Sequence, residues 1–271
     1  MMCDIISYMN SMGDVMVNYI NKIMRITLFS IFLFCITGCL NKTDNSELLE
    51  KYTYVPSSEY SNVFNIKTEI INIEHKKNSN LFDAKYFKFK NIDTDNYTFV
   101  SSSNESKMNF YKSSNGTCLM IWIVDDAYRS IFQDEILLSQ AEKFQTNFPD
   151  IDLYEAFKRN KIENDIDLIH KVIENKNISV SKESSKEQII DKYIFDYFLP
   201  FALPYSKENE TNKIIAFTGS QYGYAIIRNN EVLVMFKNGT QEMRIIYQTE
   251  KGKNLNFTEE QIIDLISSIE Y

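Results

Sequence analysis

The chain has 271 residues, of which 44% are hydrophobic and 24% are charged, the balance of a folded globular protein. Its formal net charge of −8 disfavours nucleic acid as a partner, because nucleic-acid binding depends on lysine and arginine side chains that neutralise phosphates. Only 7 glycines and 4 prolines occur, which argues against collagen-like repeats and long flexible linkers.

The N-terminal part contains a short apolar run that follows two cations. The run covers residues 26–37 and carries no charge. It is shorter than a membrane-spanning helix, which needs about 20 apolar residues. Lys22 and Arg25 precede it, and Gly38 and Cys39 follow it. This order is typical of a signal peptide over residues 1–38, although a buried strand or a short core helix is the alternative interpretation.

The residues Ile36-Thr37-Gly38-Cys39 resemble the lipobox of bacterial lipoprotein signal peptides. In that family the cysteine thiol receives a diacylglyceryl group, and the signal peptide is cleaved before the cysteine. The resemblance implies that Cys39 is the lipidation site, that cleavage falls between Gly38 and Cys39, and that the lipid ties the protein to a membrane of the cell envelope. In a cell with two membranes, Leu40 in place of aspartate implies the outer membrane, facing the periplasm.

The residues before the apolar run leave the start of the protein open. Residues 1–15 contain two aspartates and no cation, which does not fit the cationic first region of a signal peptide. Translation from Met16 keeps both cations, and translation from Met24 leaves out residues 1–23. The alternative is a genuine, unusually long first region.

Two further segments follow the cysteine. Residues 39–62 are mostly polar and predict a flexible, lipidated tether. Residues 63–271 predict a single α+β domain that begins with strands. Residues 113–116 form a polar loop with a terminal glycine between two strand-like runs, 107–112 and 117–124, and this pattern predicts a hairpin.

The middle of the chain has helical patterns. Asp125 and Asp126 predict the start of one helix. Residues 149–150 predict the start of a second helix, which runs through isoleucines spaced by three or four over residues 162–173. Residues 185–188 form a capping box that predicts the start of a third.

The last third returns to strands and ends in a helix. Four apolar runs separated by turn signals predict an antiparallel meander over residues 213–217, 222–227, 231–236 and 242–247. Residues 258–261 form a second capping box, which predicts a C-terminal helix. The order of elements predicts an α+β fold, with antiparallel sheet, a central helical segment and a C-terminal helix.

Residues 198–205 are an unusual apolar stretch with two prolines. Pro200 predicts that the third helix ends near Phe198 and that the stretch is extended. The favoured interpretation is a buried connection between helix and sheet. The alternative is an exposed interaction patch for a protein partner or a membrane surface. That candidate patch consists of Phe198, Leu199, Phe201, Leu203 and Tyr205.

No stretch carries a recognisable catalytic motif, so no catalytic residue is assigned. His75 and His170 are isolated in sequence, and we predict an exposed His75 and a capping or surface role for His170. Cys118 lies in an apolar strand-like run and is expected to be a buried, inert thiol. With so few soft ligands, neither a metal nor a cofactor is expected. Ser220 follows Gly219 directly, unlike the serine of a nucleophile elbow, and we interpret residues 219–223 as a hairpin loop.

We therefore expect a lipid-anchored binding module without catalytic activity. One version is an immunity-type inhibitor that blocks a toxin directed at the envelope, since an acidic surface suits a basic protein partner. A lipid-anchored hydrolase is an alternative, and a pocket that joins His75 or His170 to Ser220 or to a carboxylate would favour it. An accessory lipoprotein of envelope assembly is another.

Overall fold

The computed structural model describes residues 44–58, 60–92, 96–125, 135–203, 211–250 and 252–271. Within these ranges the helices are α1 Ser46–Lys51, α2 Glu135–Asn147, α3 Leu153–Arg159, α4 Asp165–Lys176, α5 Lys186–Ala202 and α6 Glu259–Ser267, with a 3₁₀ helix at Ser61–Asn65. The strands are β1 Lys67–Ile73, β2 Phe82–Asp83, β3 Lys88–Phe89, β4 Tyr97–Ser103, β5 Met108–Ser113, β6 Cys118–Val124, β7 Thr211–Gly219, β8 Gly223–Arg228, β9 Glu231–Asn238 and β10 Gln241–Gln248.

Eight of these strands form one sheet in the order β1-β7-β8-β9-β10-β6-β5-β4, and β2 and β3 form a separate hairpin. The predicted β5–β6 hairpin, the β7–β10 meander and the C-terminal helix are confirmed. The α+β class is confirmed as well. The sheet is mixed rather than wholly antiparallel, because β1 pairs in parallel with β7. Asp126, part of the predicted start of the first helix, lies outside the described residues.

Alternate residues of β7 divide the core into two layers. Ile214 and Ala216 pack with the helices α2–α5 on one face of the sheet. Ile215 and Phe217 pack with α6 and the β2–β3 hairpin on the other face. Successive side chains of a strand point to opposite faces, so both sets must be apolar when both faces are covered. The sequence of such a strand is therefore a continuous apolar run.

The predicted second helix is in fact two helices. α3 begins after Asp152, whose side chain accepts the backbone N–H of Glu155 at 3.0 Å. α4 begins after Asn164, whose side chain accepts the N–H of Asp167 at 3.0 Å. Between them Lys161 has a φ of 57°, a left-handed conformation that ends α3. The apolar stripe continues across the turn because both helices face the same core.

α5 begins at the predicted capping box of Ser185 and Gln188, which is confirmed. The prediction that it ends near Phe198 is wrong, because the helix continues through Pro200 to Ala202. Proline has no N–H to donate to the preceding turn. Helical hydrogen bonding nevertheless resumes after Pro200, where the N–H of Leu203 donates to the carbonyl of Leu199 at 3.0 Å.

The described part of the predicted tether is folded onto the helical layer. The N–H of Asn45 donates to the carbonyl of Lys182 at 3.1 Å. The ring of Tyr52 is 6% exposed and lies 5.6 Å from that of Tyr193. Aromatic burial therefore holds α1 to α5, and residues 39–43 lie outside the described part of the chain.

Candidate functional site

The strongest candidate for a functional surface is the outer edge of the sheet at β4, Tyr97–Ser103, which we call the open edge. β4 is the terminal strand of the sheet and pairs with β5. Its five central residues are exposed, and the side chains of Phe99 and Val100 are 59% and 60% exposed. The strand contains neither a charged residue nor a proline.

A terminal strand presents alternate backbone N–H and C=O groups that have no neighbouring strand. Natural proteins commonly protect such edges with lysine, proline, short strands or bulges. β4 has one of these devices, a bulge at Val100 between the paired residues Phe99 and Ser101. The edge is therefore able to accept an extended segment of another chain through main-chain hydrogen bonds.

The opposite edge, β1, is protected in more ways. It carries the charged residues Lys67 and Glu69, and Glu69 forms an ion pair with Lys213 of β7. The ammonium of Lys176 on α4 donates to the carbonyl of Ile66, immediately before the strand. Charges and a helix thus mark β1 as an edge that avoids further pairing, unlike β4.

The exposed ring of Phe99 on the open edge contacts an aromatic residue of the neighbouring strand. The ring of Phe99 packs edge-to-face on Tyr111 of β5, with centroids 5.7 Å apart. Tyr111 in turn packs on Phe82 of β2 at 5.1 Å. The ring of Phe99 therefore contacts the neighbouring strand on one side and keeps most of its surface accessible to a partner.

A second candidate is a cluster of titratable groups where α4 meets β8 and β9. The Nε2 atom of His170 lies 2.8 Å from the carbonyl oxygen of Gly223, so this nitrogen donates its N–H. The His170 ring stacks on Tyr222 with centroids 4.4 Å apart. The ammonium of Lys237 lies 4.5 Å from the centroid of the Tyr222 ring and 3.4 Å from the carboxylate of Asp167.

The groups of this cluster already contact one another or neighbouring backbone and side-chain groups. His170 is 3% exposed, so the predicted capping or surface role is wrong, and burial lowers the pKa of its imidazole. The Asp167 carboxylate accepts hydrogen bonds from the N–H of Glu163 at 3.0 Å and the Asn164 amide at 2.7 Å. Burial, followed by the charge of Asp167, raises the pKa of Tyr222. This arrangement fastens α4 to the sheet.

The residues named for a hydrolase do not converge. Ser220 is exposed in the β7–β8 loop, and its N–H donates to the carbonyl of Ile73 at 2.9 Å. His75 is exposed, as predicted, and its Nε2 lies 3.6 Å from the carboxylate of Glu270. In the described part of the chain no hydrogen bond joins Ser220 to His75 or His170.

Residues 198–203, the described part of the apolar stretch, lie mainly in the interior. Phe198, Leu199 and Leu203 have no exposed surface, so these three side chains are not available to a partner. Phe201 is half-buried and packs edge-to-face on Tyr60 at 5.4 Å. Tyr205, the last member of the candidate patch, lies outside the described residues, as do Gly38 and Cys39.

Cys118 is exposed, so the prediction of a buried thiol is wrong. Leu119, Ile121 and Ile123 of β6 point into the core, and strand alternation therefore turns Cys118 to the opposite face. The open edge itself had a signal in the sequence, a charge-free run of strand-forming residues over 97–103. That signal did not reveal which strand would be terminal.

No helix in the described ranges is both long and apolar enough to cross a membrane. In the same ranges no group of three or more histidine, cysteine, aspartate or glutamate side chains is placed to hold a metal ion. No family model, curated protein or solved structure matches the chain.

Proposed function

We propose that this protein is a bacterial lipoprotein of the cell envelope that acts as a non-catalytic binding module. Its partner is a protein that adds an extended strand to the open edge. The observation that carries the proposal is the exposed, charge-free terminal strand Tyr97–Ser103. The lipobox-like residues that end at Cys39 support the lipid anchor.

The energetics of strand addition fit a reversible interaction. Each main-chain hydrogen bond contributes about 0.5–1.5 kcal/mol. Complete burial of Phe99 and Val100, each already partly covered, adds roughly 1–2 kcal/mol apiece. Association costs about 4–15 kcal/mol in lost translational and rotational freedom, so these terms alone give a modest affinity.

Charge complementarity supplies a further contribution. The net charge is −8, and residues 1–38 hold two cations and two aspartates, so removal of the signal peptide leaves this charge unchanged. An acidic surface accelerates association with a basic partner. An envelope-directed toxin that is neutralised by an immunity-type lipoprotein is one partner of this kind. A component of an envelope-assembly machine is the other.

The lipid anchor is tested with Cys39→Ser. We expect the variant to lose incorporation of labelled palmitate and to accumulate as unprocessed precursor, because the thiol is the acceptor in the lipoprotein family. Labelling that persists in Cys39→Ser would contradict the assignment of Cys39 as the lipidation site. It would not test the proposal that the open edge binds a partner.

The open edge is tested by placing a photo-crosslinking amino acid at Ser102 in living cells. We expect one cross-linked adduct of defined mass, which disappears in the double variant Phe99→Lys/Val100→Lys, because lysine side chains block strand pairing at an edge. The same probe at Tyr154, which is 65% exposed on α3, is the matched control and should give no such adduct.

Two results would refute the proposal. The first is an adduct at Ser102 that survives the double lysine variant. The second is an adduct of twice the chain's own mass, which would assign the edge to self-association. If the adduct behaves as expected, mass spectrometry identifies the partner and distinguishes a toxin from an assembly component.

A further inference from the structure

A cleft of about 300 Å³ lies between the β5–β6 turn and the loop that precedes α6. Its polar lining consists of side chains that carry amides or a hydroxyl, and one aromatic ring joins them. These residues are Asn115, Thr117, Asn254, Asn256, Gln261 and Phe257. Two aliphatic residues complete the lining. We call it the amide cleft.

The walls of the amide cleft are fixed by hydrogen bonds. Thr117 is 5% exposed, and its N–H donates to the side-chain oxygen of Asn115 at 2.8 Å. The N–H of Leu255 donates to the carbonyl of Asn229 at 2.7 Å. Gln261 belongs to the capping box of α6. The cleft is therefore formed before any ligand arrives, as is usual for small-molecule sites.

The aromatic ring is also held in one orientation. Phe257 is half-buried and packs edge-to-face on Tyr247, with centroids 5.3 Å apart. The hydroxyl of Tyr247, which is itself buried, donates to the side-chain oxygen of Asn91 at 2.6 Å. A ring that is fixed in this way offers apolar surface at little entropic cost.

None of the described residues that line the cleft carries a charged side chain, although the protein as a whole is strongly acidic. An anionic ligand would need a cation in the site, and a cationic ligand would need a carboxylate, because an unpaired charge is costly to desolvate. A carboxamide both donates and accepts hydrogen bonds, and so does a hydroxyl group. Asn254 and Asn256 are exposed and make no hydrogen bond to another described residue.

From these observations we infer that the amide cleft binds a neutral sugar unit. The asparagine amides pair with its hydroxyl groups, and the Phe257 ring covers its C–H face. This inference rests on neither the lipid anchor nor the open edge, since the cleft is built from other residues.

The test is isothermal titration of the full-length protein with glucose, galactose, N-acetylglucosamine and glucuronate. The detergent must lack a sugar headgroup, because such a headgroup would compete for the cleft. We expect at least one neutral sugar to bind and glucuronate to bind at least about tenfold more weakly, which corresponds to the cost of one uncompensated charge. Asn254→Ala and Asn256→Ala should each weaken binding by about two- to tenfold, the loss of one hydrogen bond.

Asn80→Ala is the matched control, since Asn80 is an exposed asparagine that does not line the cleft. It should leave the affinity unchanged. Equal thermal midpoints for the three variants would establish that each is folded. The inference is overturned if no neutral sugar binds at about 10 mM, a level that detects dissociation constants of about 1 mM. It is also overturned if glucuronate binds equally well, or if Asn80→Ala weakens binding as much as the cleft variants.

Discussion

Phe198→Ala should be among the most destabilising single substitutions in the helical layer. Phe198 has no exposed surface, and its ring lies 5.7 Å from Phe157 of α3 and 6.1 Å from Phe144 of α2. It therefore joins α5 to two other helices. Removing the ring costs about 1.5–3 kcal/mol in transfer free energy, and the cavity raises the total to about 3–5 kcal/mol.

Phe201→Ala is the matched control, because Phe201 lies one helical turn away in a similar apolar setting. Its side chain is only half-buried, so the expected loss is about 1–2 kcal/mol. Urea denaturation measures both variants, and a shift in midpoint at constant slope reports stability rather than a change in the denatured state. A loss for Phe198→Ala no larger than that for Phe201→Ala would refute the assignment of Phe198 to the core.

Three further predictions test other parts of the fold. Burial lowers the pKa of His170, so on acidification the unfolded chain takes up a proton near pH 6.5, and the folded chain does so only at lower pH. The contribution of the neutral His170 imidazole to stability is therefore complete above that pH and falls below it. In urea melts of His170→Gln, this loss of stability on the acid side should be smaller. Gly223→Ala should lower the free energy of unfolding by more than about 3 kcal/mol, since a Cβ there would overlap the carbonyl oxygen of Met235. In Gly116→Ala the new Cβ meets no atom, so the loss should be only about 1–2 kcal/mol, the cost of its positive φ. Cys118, being exposed, should react with iodoacetamide in the folded protein as fast as in urea; strong protection in the folded state would contradict its placement.

Local signals in the sequence were enough to predict much of the fold. The capping boxes at Ser185 and Thr258 each join a side chain to a backbone N–H three residues away, so the sequence contains the whole interaction. The same holds for the turn between β5 and β6, where Gly116 supplies a positive φ of 91°. Elements of this kind can be predicted without knowledge of the rest of the molecule.

Features that depend on tertiary packing were not predictable in this way. Pro200 is a helix-breaking signal, yet the buried last turn of α5 keeps its helical geometry on both sides of it. His170 lies on the apolar face of α4, and only the position of the β7–β8 loop provides the carbonyl that its ring needs. The parallel pairing of β1 with β7 joins segments more than a hundred residues apart, which no local pattern encodes.

The strand addition that we propose at β4 would not involve the helical layer. Among the described residues, the helical layer of α2–α5 packs on side chains from β7, β8 and β9. Core side chains of β5 and β6 pack instead on the face that α6 and the β2–β3 hairpin cover. A strand added beyond β4 would therefore extend the sheet on the side away from the helical layer. Since the edge is already ordered by its pairing with β5, binding would avoid the cost of ordering a recognition segment on this side of the interface. Only the partner's own segment would have to become extended.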